Sequence, residues 1–141
     1  MILLDTNVIS ALMQRDADPI VVAWLDSQPS ESIWTTSITV FEVRFGLEIL
    51  ASGRRRRSLE EAFRKTLEDD FEGRVVPFDE AAAQAAGHIA AERRRLGRTI
   101  EIRDVQIAGI AAARKAAIAT RNLRHFEDLD LELIDPWSAD R

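Results

Sequence analysis

Apolar residues follow two rhythms along this chain. Short unbroken runs alternate with longer stretches in which apolar positions return every three or four residues. The runs read as strands: 1–5 (MILLD), 33–37 (IWTTS), 74–77 (RVVP), 117–120 (AIAT) and 131–134 (LELI). The periodic stretches read as helices. Val8, Ile9, Leu12 and Met13 mark the first, behind the capping residues Asp5, Thr6 and Asn7. Pro19 opens a second, PIVVAWLDSQ, as a proline in the first turn does. Thr39 is expected to cap a third, with Glu42 three residues on in capping-box spacing and Val40, Val43, Leu47 and Leu50 as its buried stripe. Gly53 is expected to stop that helix, and a fourth runs over about 56–70. Asp79 caps a long Ala-rich helix that Gly97 ends after Leu96, and a last helix covers about 103–115.

Strands that alternate with helices predict a parallel sheet covered on both faces. The expected fold is therefore α/β, in three layers, with a mostly parallel sheet of four to five strands. The paired helices of residues 40–70 form a protruding helical hairpin, with Phe41, Phe45, Leu47 and Phe63 as its expected core or, alternatively, as a groove for a partner helix or a dimer contact. A length of 141 residues predicts one domain over 1–141, and 46% hydrophobic residues suffice for its core. The chain has no cysteine, which excludes a disulfide scaffold and a Cys-based zinc site. No run is apolar enough to span a bilayer, and the N-terminus lacks a signal peptide's basic start. A soluble cytoplasmic protein is expected.

The chemistry concentrates where a parallel sheet places it, at the carboxyl ends of the strands. Asp5 ends the first strand, and Thr120, Arg121 and Asn122 end another. Glu42 and Asp104 fall early in helices that follow loops, and Ile107 and Ala108 put Asp104 on the inward face of its own. Each acid has a local explanation: an Asx turn for Asp5, a capping box for Glu42, a helix-dipole anion for Asp104. Taken together they converge on one edge of one sheet. Several carboxylates share a small site only when a cation offsets their repulsion. Oxygen ligands without Cys or His suit Mg²⁺, with Mn²⁺ as the substitute, and such a centre activates water against a phosphodiester.

Charge qualifies that reading. The formal net charge of −5 argues against a nucleic-acid binder on global grounds. Local clusters at Arg54–Arg57 and at Arg93, Arg94, Arg95 and Arg98 matter more for phosphate contacts, although the second reads first as a solvated helix face. Glu127 and Asp128 are expected to face solvent. No Gly-rich phosphate loop is present. A phospho-acceptor regulatory domain is disfavoured, because IWTTS has no Asp at its end.

The stretches MILLDTNVIS, ITVFE, IRDVQIAG and ATRNLRHF, in this order, resemble the PIN-domain proteins of the VapC type. VVAWLDS, SITVFEVRFGLEIL, GRVVPFDE and the closing DPW are especially similar to FitB-like members. The resemblance implies a Mg²⁺-dependent endoribonuclease, the toxin of a toxin–antitoxin pair, cutting tRNA or ribosomal RNA. It implies as partners a small VapB-like antitoxin that inserts a basic side chain into the acidic pocket, a homodimer, and larger assemblies reaching operator DNA only through the antitoxin. No membrane partner is implied.

Position by position, the resemblance makes Asp5, Glu42 and Asp104 the catalytic and metal-holding acids. Thr6 and Asn7 would fix Asp5, and Thr120 would reach a water of the ion. The family's fourth acid is missing: Asn122 and His125 occupy its two usual places. An amide oxygen can still face a metal, and a histidine can still meet a phosphate, but neither restores the charge. Arg103, Arg54 and Arg55 are candidate RNA contacts, while Arg44 is expected in a surface ion pair. The alternative is a domain weakened at Asn122 that serves mainly to bind RNA or antitoxin.

Overall fold

The structure is a computed structural model and describes residues 1–138. Among them, five strands form one sheet in the order β3-β2-β1-β4-β5, all parallel. The strands are β1 (Ile2–Leu4), β2 (Ile33–Thr36), β3 (Val75–Val76), β4 (Ala117–Ala119) and β5 (Leu133–Ile134). The helices are α1 (Thr6–Met13), α2 (Pro19–Asp26), α3 (Ser37–Glu48), α4 (Arg54–Lys65), α5 (Glu80–Arg95) and α6 (Ile102–Arg114). The expected α/β fold is present, and the sheet is wholly rather than mostly parallel. Of the single domain expected over 1–141, the last three residues lie outside the described ones.

Alternation along the strands divides the core in two. Leu3 and Ile118 point to one face, where Ala82, Ala86, Ile89, Ile107 and Ile110 of α5 and α6 cover them. Leu4 and Ala119 point to the other, against Val8, Ile9, Trp24, Val43, Leu47 and Phe63 of the first four helices. Helices α5 and α6 approach unusually closely at Gly109, where an added Cβ would lie 2.5 Å from the Ala82 carbonyl oxygen. That contact admits no side chain, and α6 depends on it for its seat.

Three local expectations change. Thr36, not Thr39, caps α3: its backbone is extended at the end of β2, and its Oγ1 accepts from the Thr39 N–H at 3.1 Å. The helix therefore begins at Ser37, and Glu42 stands a full turn too deep to close a capping box. Gly53 does not end α3, which stops at Glu48; with φ of 155° it is the N-cap of α4. The fourth helix starts earlier than expected and loosens into a π turn at Thr66–Asp70. Finally, Leu47 and Phe63 enter the core, but Phe41 and Phe45 do not. They are 57% and 52% exposed and stack with ring centroids 6.3 Å apart on the outer face of α3.

Candidate active site

Strand order places the site. The sheet reverses direction of growth between β1 and β4, which opens a crevice at their carboxyl ends. Asp5 leaves β1 there, and its backbone N–H donates to the Ala119 carbonyl at 2.9 Å. Thr120 leaves β4 alongside it. The side chain of Asp5 is 5% exposed yet fully engaged. Its Oδ1 accepts from the Thr6 N–H at 2.8 Å; its Oδ2 accepts from the Thr120 hydroxyl at 2.9 Å and from the Asn7 amide at 3.3 Å. Asn7 in turn accepts from the Arg121 N–H at 3.0 Å, which ties α1 to the end of β4.

Glu42 is positioned by α3. The Thr6 hydroxyl donates to its Oε1 at 2.9 Å, so Thr6 holds one acid with its backbone and another with its side chain. Arg103 lies 3.7 Å from Oε2. Asp104, in the first turn of α6, sits 2.8 Å from His125 Nδ1. Its own N–H donates at 2.9 Å to Glu101, the N-cap of α6. Asp5, Glu42 and Asp104 line one cleft of about 360 Å³, together with Thr6, Asn7, Asn122 and His125.

Burial is the main force on all three acids, and it raises each above the ordinary carboxylate range. For Asp5 the hydrogen bonds from Thr6, Thr120 and Asn7 and the nearby His125 oppose it. For Glu42 the Thr6 hydroxyl and Arg103 oppose, while Asp5 and Glu101 add repulsion. Asp104 is pushed up to about 6: burial leads, His125 opposes, and Asp5, Glu101 and Glu42 repel. The cleft thus holds more negative charge than its own side chains neutralise.

That donor set suits a hard divalent cation: carboxylate oxygens, an amide oxygen at Asn122 and no thiolate. As they stand, however, no three His, Asp or Glu side chains among the described residues lie close enough together to hold an ion. Each acid instead has its own partners: Thr120 and Asn7 bond Asp5, Thr6 and Arg103 meet Glu42, and His125 pairs with Asp104.

Other expected residues fall elsewhere. Arg54 and Arg55 are exposed in the first turn of α4 and do not line the cleft. Arg44 makes the surface ion pairs expected of it, 3.2 Å from Glu48 and 3.3 Å from Glu60. The solvated reading fails for Arg93 and Asp128. Arg93 is 5% exposed and pairs with Asp128 at 3.1 Å, because the last turn of α5 packs under the 123–128 segment. Its guanidinium also donates to the His125 carbonyl. Sequence reasoning missed Glu101, which borders the cleft and caps α6; glutamate is not among the residues that usually cap helices, so no cap signal pointed to it.

Comparison with known proteins places these features in a family. A PIN-domain family model matches residues 2–131. The VapC ribonuclease Y4jK of Sinorhizobium fredii is 38% identical over 97% of this chain and 98% of its own length. The tRNA(fMet)-specific endonuclease VapC of Salmonella typhimurium is 34% identical over 72% of this chain and 73% of its own. The solved structure of FitAB bound to the DNA fragment IR36 (FitB being a toxin of Neisseria gonorrhoeae) has a TM-score of 0.87. It is 36% identical and covers 97% of this chain and 96% of that one.

Proposed function

The chain belongs to the PIN-domain family, among its VapC- and FitB-like toxin ribonucleases, and on that premise we propose that Asp5, Glu42 and Asp104 form a Mg²⁺-dependent centre for RNA hydrolysis. One observation carries the proposal: three carboxylates, each raised by burial, border one cleft at the carboxyl ends of a parallel sheet. The family is metal-dependent, and Mg²⁺, or Mn²⁺ in its place, fits oxygen donors without sulfur. When bound, such an ion polarises the scissile phosphate and acidifies the attacking water.

The chain's own residues divide the remaining work. Thr6, Asn7 and Thr120 fix Asp5 in one orientation and favour its ionised form against the cost of burial. Glu42, tethered on one oxygen by Thr6, orients the attacking water. Arg103 offsets charge beside Glu42 and meets an RNA phosphate. Water attack leaves the RNA 2′-hydroxyl unused, so the product ends are a 5′-phosphate and a 3′-hydroxyl. Transfer RNA is the favoured substrate, by analogy with the Salmonella relative.

The partner surfaces follow the same reading. An apolar groove of about 190 Å³ runs between α1, α3 and α4, lined by Met13, Val43, Leu47, Leu50 and Leu59, and its rim includes Glu42. An amphipathic helix of a VapB-like antitoxin seated there would end beside the acids. DNA would be reached only through that antitoxin, in an assembly of the kind in which FitAB is solved with a DNA fragment. The exposed Phe41 and Phe45 of α3, with Ile49 just beyond its end, would form the homodimer contact. No helix among the described residues is long and apolar enough to cross a membrane, and the proposed place of action is the cytoplasm, where the RNA is.

The test is cleavage of total tRNA by antitoxin-free protein in Mg²⁺, in Mn²⁺ and in EDTA, beside Asp5→Asn. Metal-dependent cuts that vanish in the variant support the centre. A second reading has its own observation: with Asn122 and His125 in place of an acid, and the three carboxylates apart, the domain would bind RNA or antitoxin without cutting. Equal inertness of wild type and variant, with binding intact, would favour it.

A further inference from the structure

Beside the acidic cleft lies a second, larger cavity of about 550 Å³. The two share Glu101, Asp104 and His125 as a common wall. Beyond that wall the chemistry reverses: Arg93, Arg98 and Arg124 enter, with Asp128 as the added acid. The acids here are already engaged. Arg93 holds Asp128 at 3.1 Å, His125 holds Asp104 at 2.8 Å, and Glu101 caps α6. The cations are less so. Arg98 has a side chain 55% exposed and only a 3.8 Å contact to an Asp128 that Arg93 has already satisfied. Arg124, exposed in the turn before His125, has no carboxylate partner among the described residues.

We propose that this cavity is a flanking subsite for the RNA strand, in which Arg98 and Arg124 take the phosphate next to the scissile one. The proposal rests on the ribonuclease reading and extends it. A strand cut at the acidic cleft must continue past it, and its neighbouring phosphates need cations. The volume lies within the range of about 300–1,000 Å³ typical of small-ligand pockets, enough for a nucleotide. The Gly97–Thr99 segment that borders the cavity places Arg98 directly after the turn ending α5. This is also how an acidic protein takes up a polyanion: the attraction is local, one wall away from the acids.

The experiment reads binding rather than cutting. A short fluorescein-labelled single-stranded RNA is titrated with the full chain carrying Asp5→Asn, in Mg²⁺, over a series of salt concentrations. Each phosphate contact on a single strand contributes about 0.7 to the slope of log K against log salt. Adding Arg98→Ala and Arg124→Ala together should weaken binding and flatten the slope by about 0.7, the share of that one phosphate. Adding Arg98→Lys and Arg124→Lys instead should keep most of the slope. Arg64→Ala, which removes a charge elsewhere, should leave it unchanged. Both arginines are exposed, and a melting curve of each variant checks folding. An unchanged affinity and slope in the double alanine variant overturns the subsite, as does a parent that binds no RNA. Binding that depends on both arginines in a protein that never cuts would retire only the catalytic reading.

Discussion

His125 Nδ1 stands 2.8 Å from Asp104 Oδ2, a base–acid pair in a cleft whose other acids are Asp5, Glu42 and Glu101. It holds Asp104 by an internal partner in a cleft where the other carboxylates repel it. Replacing the imidazole with a carboxylate, His125→Asp, should therefore raise Mg²⁺ affinity, since affinity follows the charge count of the ligands. Calorimetric titration of Mg²⁺ into both proteins reads that gain. An affinity that stays the same or drops would mean the turn at Leu123–His125 does not face the ion.

The metal-free protein should lose stability as pH rises. Asp104 has its folded value raised to about 6 from the ordinary 3.8. A raised group contributes stability that is complete below its unfolded value and is lost as pH climbs through the folded one. Melting temperature in EDTA should thus decline between pH 4 and pH 7 through this group, with Asp5 and Glu42 acting in the same direction. Asp104→Asn should flatten the decline, and Mg²⁺ should stabilise the wild type more at high pH than at low. A variant whose melting profile matches the wild type at every pH would contradict this.

Thr120→Val keeps the shape of a fully buried side chain and removes the hydroxyl that donates to Asp5 at 2.9 Å. Hydroxyls that orient a ligand carboxylate typically matter by about 10–100-fold in metal affinity or activity. A loss of that size is expected in tRNA cleavage and in Mg²⁺ titration alike.

Arg93→Ala leaves Asp128 buried without its partner. Breaking a buried pair in this one-sided way costs about 3–5 kcal/mol, measured as a shift of the urea midpoint. Because Arg93 also holds the His125 carbonyl, RNA cleavage should fall with it even at temperatures where the variant remains folded.

Gly109→Ala should destabilise by about 1–3 kcal/mol, the usual range for overpacking, because its Cβ would meet the Ala82 carbonyl and Ala86. Equal urea midpoints for this variant and the wild type would show that α5 and α6 separate at no cost.

Much of this molecule was legible in its residues because hydrophobic rhythm and strand-end chemistry are local. The five strands, the Asp79 cap and the gathering of Asp5, Glu42 and Asp104 around one cleft all follow from patterns within a few residues. What escaped depended on contacts distant in sequence. Thr36 and Thr39 both have cap chemistry, and the extended backbone of β2 decides between them. Arg93 reads like Arg94 and Arg95, yet it alone packs under Asp128, thirty-five residues away. Phe41 and Phe45 carry core chemistry on a face that the first four helices leave uncovered. Global charge was a poor guide as well, since the sum of −5 says nothing of where Arg93, Arg98 and Arg124 gather, beside the wall they share with the acidic cleft.

The outermost strands, β3 and β5, are two residues each. An open sheet edge is a template on which another chain can add, and its reach is set by its count of unpaired backbone groups. Edges this short present almost none. The sheet can thus remain finite, so the chain would stay dispersed instead of growing into its neighbours.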